Sequence, residues 1–365
     1  MKRFSAMLLI VCMLLSGCST WLDGNYHSIK PHEEKENNSD SDIVAVSSYA
    51  ALCRALTGMV HNGTVNGLIS VKNYNQLVVA RDMRHAIEHV KVNDPIVAYA
   101  VEKMEFELGT NAGQPAIAVS ISYYHDRTEL QKIRHLQDMT QAEEAIGEAL
   151  DNCDSGIVLY IEEFQNQDYV QWVEDYSSLS VDRVMEKPQV AVNLYPETGV
   201  ARVVELKFTY QNSRDALRSM LEQVKSRLYR IVADAKNKDT QQEMYKSVFA
   251  ALPRELASTD TSITPAYSLL VHGVGDSKAL ANVYAAICNQ LNLNCITVTG
   301  TYQGQPRNWN IQQVDGAYFH VDLLRSMKDG VLRTMTDSQM NGYVWDYSTY
   351  PACSGIPETD QPEGA

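Results

Sequence analysis

The chain has no Cys-x-x-Cys pair and no histidine-rich tract, which excludes the common zinc-ribbon and dithiol chemistries; no metal and no cofactor is expected. Basic residues are scarce: 31 lysines and arginines face 45 aspartates and glutamates, a formal net charge of −14. A surface of that sign repels nucleic acid and anionic lipid headgroups, so neither is expected as a binding partner. Beyond residue 15 there is no long apolar run, hence no second candidate for a membrane span. A phosphate loop is missing too, because Gly273, Gly275 and Lys278 do not have the required spacing.

The N-terminus does carry a pattern. Lys2 and Arg3 precede an apolar run from Ala6 to Leu15, too short to span a bilayer comfortably, and Leu15-Ser16-Gly17-Cys18 follows. This order resembles a bacterial lipoprotein signal. It implies a signal peptide over 1–17, lipidation of Cys18 and a location on the extracytoplasmic face of the cell membrane. Residues 18–42 are polar and nearly free of aliphatic side chains, a composition that cannot pay for a packed core. They are expected to form a tether, which fully extended would reach roughly 80 Å. Export would permit disulfides among Cys53, Cys153, Cys288, Cys295 and Cys353, with Cys295 and Cys353 the expected pair and one thiol necessarily left over.

A repeat organises residues 43–236. The β-type run Gly67–Asn75 is echoed by Gly156–Phe164, and the alternating strand from Pro115 is echoed after Gly199, each ending in tyrosine before a polar break and a helix start. Further strands are expected over Ile96–Glu107 and Gln189–Tyr195, with hairpin turns at 109–113 and 196–199. Helices are expected near 128–150 and 213–235, the latter with Leu217, Leu221, Val224, Leu228 and Ile231 on one face. Neither copy holds a catalytic set. His85 and His89 stand at i, i+4, a spacing a metal could use, but they are expected on a solvated helix face.

The chemistry-bearing residues lie in the last third. Ala279, Leu280, Val283, Tyr284, Ile287, Cys288 and Leu291 recur at helical spacing, with Asp276 or Ser277 placed to cap the helix. Strands are expected over 295–300, 308–314 and 318–323. The successive blocks Gly275-Asp-Ser277, Val298-Thr-Gly300, Arg307-Asn-Trp309-Asn310 and Asp315-Gly-Ala-Tyr-Phe-His320-Val-Asp322 resemble the transglutaminase-like (papain-like thiol) superfamily across about residues 240–353. Thr336-Asp337, Tyr343-Val-Trp345-Asp346 and Tyr350-Pro-Ala-Cys353 extend the likeness.

The resemblance implies a C-terminal transglutaminase-like domain over 237–355, a helix packed on antiparallel sheet; with the two similar α/β units of the internal duplication read above, at 43–150 and 151–236, and a tail over 356–365, an α+β chain is expected. It also implies that the family's cysteine, histidine and aspartate positions are here Ser277, Arg307 and Asp322. Serine needs a neighbouring base to attack an acyl carbon, and arginine, permanently protonated and without an acceptor, cannot serve. The expected outcome is an inactive site, with Arg307 paired to Asp322, Ser277 acting as a helix cap, and Trp309, Asn310 and His320 as binding residues. Such a protein would hold a peptide, cell-wall or surface-protein partner. Two other readings stay open. One is an acyl-transfer or hydrolytic enzyme using Ser277 with His272 or His320 as base; a GDS-type esterase is disfavoured because no Asp-x-x-His follows Ser277. The other is a structural surface protein acting through the duplicated units.

Overall fold

The computed structural model describes residues 43–356. The signal, Cys18, the tether and all but the first residue of the tail lie outside the described residues.

The described chain is a mixed α+β structure with three four-stranded sheets. The first sheet comes from β1 (Val44–Ala45), β2 (Asn66–Ser70), β3 (Val101–Asn111) and β4 (Gln114–Tyr123), with α1 (Tyr49–His61) and α2 (Val79–Asn93) between its strands. Ser48 starts α1 by accepting from the Ala51 amide, and the helix buries Leu52, Leu56, Met59 and Val60 at helical spacing. The order β1-β2-β4-β3 sets β1 parallel to β2 and the other pairs antiparallel. Ala112 and Gly113, with φ of 50° and 76°, close the β3–β4 hairpin in the doubly left-handed turn that matches strand twist. The strand expected from Ile96 begins only at Val101. Asp94 accepts from the amides of Ile96 and Val97 and Pro95 takes the first position, so Pro95–Ala100 winds into a helical turn first.

The second sheet comprises β5 (Arg134–Leu136), β6 (Gly156–Ile161), β7 (Gln189–Tyr195) and β8 (Arg202–Thr209), with α3 (Met139–Asp151) and α4 (Tyr169–Leu179). Its order, β5-β6-β8-β7 with β5 parallel to β6, matches the first sheet strand for strand. The helix expected over 128–150 is divided. A capping box from Asp126 and Glu129 makes one turn at Arg127–Leu130, and β5 then pairs with β6 before α3 begins. Ala142, Ile146 and Leu150 of α3 pack with Leu159 and Ile161, so α3 belongs to the second sheet and does not close a unit ending at 150. Chain contacts divide accordingly. One unit runs up to Ile133 and takes in Tyr195–Val203; the other holds Arg134–Leu194 and the chain from Val204 onwards.

The last part of the second unit contains α5 (Arg214–Lys236), α6 (Gln241–Ala251), α7 (Ser277–Gln290), β9 (Cys295–Tyr302), β10 (Gln305–Val314), β11 (Ala317–Val321), α8 (Leu323–Asp329) and β12 (Tyr343–Trp345). The order β11-β10-β9-β12 is antiparallel throughout. Alternation along β10 gives the sheet two different faces. Asn310 donates to the Ala281 carbonyl of α7 (2.9 Å) and Gln312 accepts from the Tyr284 hydroxyl (3.0 Å), while Trp309 and Ile311 pack on the opposite side against Met335, Tyr343, Trp345 and Cys353. Cys295, opposite Gln312 in register, shares the α7 face with Cys288, whereas Cys353 packs on the other. The expected Cys295–Cys353 disulfide is therefore absent, and all five described cysteines are free thiols. No helix among the described residues is long and apolar enough to cross a membrane.

Candidate functional site

Ser277 stands at the head of α7 but does not cap it. Asp276, in extended conformation, is the cap: one carboxylate oxygen accepts from the Ala279 amide (2.8 Å) and the other from the Thr261 hydroxyl (3.0 Å). Ser277 occupies the first helical position, and its hydroxyl oxygen accepts from the Asn308 amide at 3.1 Å. The reason lies in the sheet. The β10–β11 pairing stops at Asn310 opposite Val321, because Asp322 turns the chain into α8. The next outward N–H of β10, that of Asn308, would lack a ladder partner and finds the serine instead.

Asn308 adjoins Arg307, so this bond brings the serine beside the Arg307–Asp322 pair. The Arg307 guanidinium grips the Asp322 carboxylate in two bonds, Nε to Oδ2 at 2.9 Å and Nη2 to Oδ1 at 2.7 Å. Asp322 is 1 % exposed and also accepts from the Tyr343 hydroxyl (2.5 Å) and the Arg325 amide (3.1 Å). Four donors thus converge on two oxygens, leaving the carboxylate no position from which to orient a base. Burial, the hydrogen bond to Asp322 and that carboxylate's charge all push the Tyr343 phenol above its ordinary range, so it stays protonated as a donor.

His320, Trp309 and Asn310, expected as binding residues, are all fully buried. The Trp309 indole N–H donates to His320 Nδ1 (3.0 Å), and His320 Nε2 lies 2.8 Å from Asp337 Oδ1. Indole only donates, so Nδ1 carries the lone pair, and the proton sits on Nε2, shared with Asp337. With both nitrogens engaged, the imidazole cannot take a proton from Ser277. Burial lowers its pKa and Asp337 partly offsets that. The same accounting tests a metal. His320, Asp337 and Cys353 bring candidate ligand atoms within 4.8 Å of one another, but the imidazole has no free lone pair, and burial, with the Asp337 charge adding to it, pushes the Cys353 thiol up to about 12. The donor set does not fit a metal ion.

The remaining candidates stand apart. His272 is exposed and lies edge-on to Tyr267 at 5.2 Å. Cys288 is sealed in the core, and burial raises its thiol well above the usual range. Asn310 spends its amide nitrogen on α7, and its oxygen is buried without a partner among the described residues. Sequence reasoning missed Tyr343 as the fourth donor to Asp322 and Asp337 as the partner of His320; both lie in blocks quoted above, but their contacts cross the sheet. Gly300 also gains a reason. A Cβ there would collide with the Val344 carbonyl and come within 2.7 Å of the Trp309 ring.

Ser277, Arg307 and Asp322 thus form a cluster with a hydroxyl and a saturated ion pair but no nucleophile–base couple. No family model matches the chain, and no curated protein matches it. Among solved structures it is similar to a transglutaminase (TGase) at 10% identity, covering 46% of this chain and 50% of that one, with a TM-score of 0.23. It is also similar to a candidate protease from Parabacteroides distasonis at 12% identity, covering 45% of this chain and 39% of that one, with a TM-score of 0.20. The chain spans half or less of the length of each, and at these TM-scores neither likeness carries weight for fold or activity.

Proposed function

We propose that this protein is a lipid-anchored surface protein whose C-terminal domain is a non-catalytic relative of the transglutaminase-like fold, holding a peptide, wall or surface-protein partner instead of transforming a substrate. The observation that carries this reading is the Arg307–Asp322 clasp. In an acyl-transfer site of that family a histidine would stand at position 307, oriented by the aspartate; here a cation without an acceptor fills the position and takes two of the four bonds the aspartate accepts. The hydroxyl of Ser277 is committed as an acceptor to Asn308 and has no base as a partner among the described residues. The shared strand order of the first two sheets supports an internal duplication N-terminal to this domain. The anchor on Cys18 is tested by the mass of the N-terminal peptide, which would begin at a diacylglyceryl-modified Cys18.

The test of the site is to put the lost groups back. In Ser277→Cys/Arg307→His the imidazole would be oriented by Asp322 and the thiol would sit at the α7 N-terminus, two features that lower a thiol's pKa. Iodoacetamide at pH 7 should then label the introduced thiol well faster than free cysteine. Labelling no faster than free cysteine would overturn the transglutaminase-like reading.

A further inference from the structure

Where α4 meets α7, two nearly buried polar side chains, Ser177 and Asn282, line one cavity. Ser177 on α4 is 9% exposed, and its hydroxyl oxygen has no hydrogen-bond partner among the described residues. A helical serine ordinarily bonds back to the carbonyl four residues earlier or faces water, and Ser177 does neither. Asn282 on α7 is likewise 9% exposed. Both line one cavity of about 450 Å³, within the size range of sites that take small molecules. Part of the wall is apolar, with Val184, Met185, Ala266 and Ala279 all nearly fully buried.

The charged groups of the cavity are already engaged. Glu186 accepts from the Gln211 amide (2.5 Å) and from the backbone and side chain of Asn212 (3.1 and 2.6 Å). Asp276 caps α7, and Glu174 lies between Lys187 (3.3 Å) and Lys278 (3.8 Å). The remaining buried polar groups of the lining are neutral: the Ser177 hydroxyl, and the Asn282 carboxamide, which offers a donor and an acceptor in a single plane. A carboxamide pairs reciprocally with another amide, and a hydroxyl beside it can complete the carbonyl's second lone pair.

We propose that this cavity binds an uncharged amide carrying one apolar side chain, the chemistry of a residue within a short peptide. Val184, Met185 and Ala266 would receive the side chain while Asn282 and Ser177 hold the amide. The proposal deepens the peptide-binding reading above, but its site shares no residue with the Ser277–Arg307–Asp322 cluster. Failure of the cysteine–histidine reinstallation therefore leaves it standing, and its own failure leaves that test untouched.

The experiment uses the full-length protein with 13C-methyl labels on Ile, Val, Ala and Met, titrated with N-acetyl-leucine N-methylamide. Saturable shifts are expected at Val184, Met185, Ile263 and Ala266, with a Kd of roughly 1 mM for a ligand of this size. The amide-free control 4-methylpentan-1-ol should bind about ten-fold more weakly, and Ser177→Ala and Asn282→Leu should each weaken the amide by about ten-fold. Ala279→Phe, which fills the space, should abolish the shifts while the methyls of Ile69 and Ile117 in the first unit stay unchanged. A cavity holding only water would give no saturable shift. That result, equal affinity for the alcohol, or unaltered binding in Ser177→Ala and Asn282→Leu, would overturn the proposal.

Discussion

Replacing Arg307 by methionine removes both bonds of the guanidinium while keeping most of its apolar stem. The carboxylate of Asp322, 1 % exposed, would retain only the Tyr343 hydroxyl and the Arg325 amide. Stripping one partner from a buried pair leaves an uncompensated charge and costs about 3–5 kcal/mol. Arg307 itself is 20% exposed in its side chain, so solvent softens the loss and the lower end is expected. For a unit of this size that is on the order of 10 °C in Tm. Urea unfolding followed by tryptophan fluorescence reads the event locally, since Trp309 and Trp345 pack in the cluster beside the pair. Adding Asp322→Asn to the same chain removes the stranded charge while keeping a residue able to cap α8 and to accept from Tyr343. The double variant should therefore recover at least about 1.5 kcal/mol, a clear departure from additivity. A cost for Arg307→Met below about 1 kcal/mol, the range of exposed ion pairs, or strict additivity of the two changes would refute the reasoning.

Other outcomes follow from the same contacts. His320 is held neutral, its folded pKa below its unfolded value of about 6.5, so the unfolded chain binds the extra proton first. Stability should be fully present above about pH 6.5 and be lost as pH falls from there towards the folded pKa; urea midpoints between pH 7.5 and 5 should show this, and His320→Gln should flatten that slope. Gly300→Ala should cost about 1–3 kcal/mol, because the Val344 carbonyl cannot step aside, whereas Gly58→Ala in the middle of α1, with open space around it, should gain up to about 1 kcal/mol; thermal melts of both variants decide this. Thiol titration with Ellman's reagent under non-reducing conditions should find all five cysteines from Cys53 onwards free after unfolding, and only Cys53, the partly exposed one, reacting quickly in the folded protein.

What was legible in the sequence is what repeats at short range. The three-and-four spacing of Ala279, Val283, Tyr284 and Ile287 marks α7, and alternation through 308–321 marks β10 and β11. Glycines at 67 and 156 mark the paired strands β2 and β6: a side chain at Gly67 would run into Met59, and one at Gly156 into the Leu206 carbonyl. Features set by distant partners were not legible. The three-residue strand β5 exists only through its pairing with β6, and nothing in Arg134–Leu136 alone distinguishes it from a helix continuing to α3. The Cys295–Cys353 expectation failed because pairing depends on which face each thiol takes, and Cys295 packs on the α7 side of the sheet while Cys353 packs on the other. Trp309 and His320 were expected as binding residues. Their mutual bond and the cover of Trp345 and Tyr343 bury them, and that cover arrives from a strand more than twenty residues further on. The cavity at Ser177 and Asn282 is assembled from segments about a hundred residues apart, with no local signal at either.

A fluorophosphonate warhead labels serines that a base has activated, so it reads out whether Ser277 is a nucleophile. The native protein should show no labelling at Ser277 at pH 7.5, in keeping with a hydroxyl bonded to the Asn308 amide and neighboured by a saturated ion pair. Stoichiometric labelling that disappears in Ser277→Ala would contradict it.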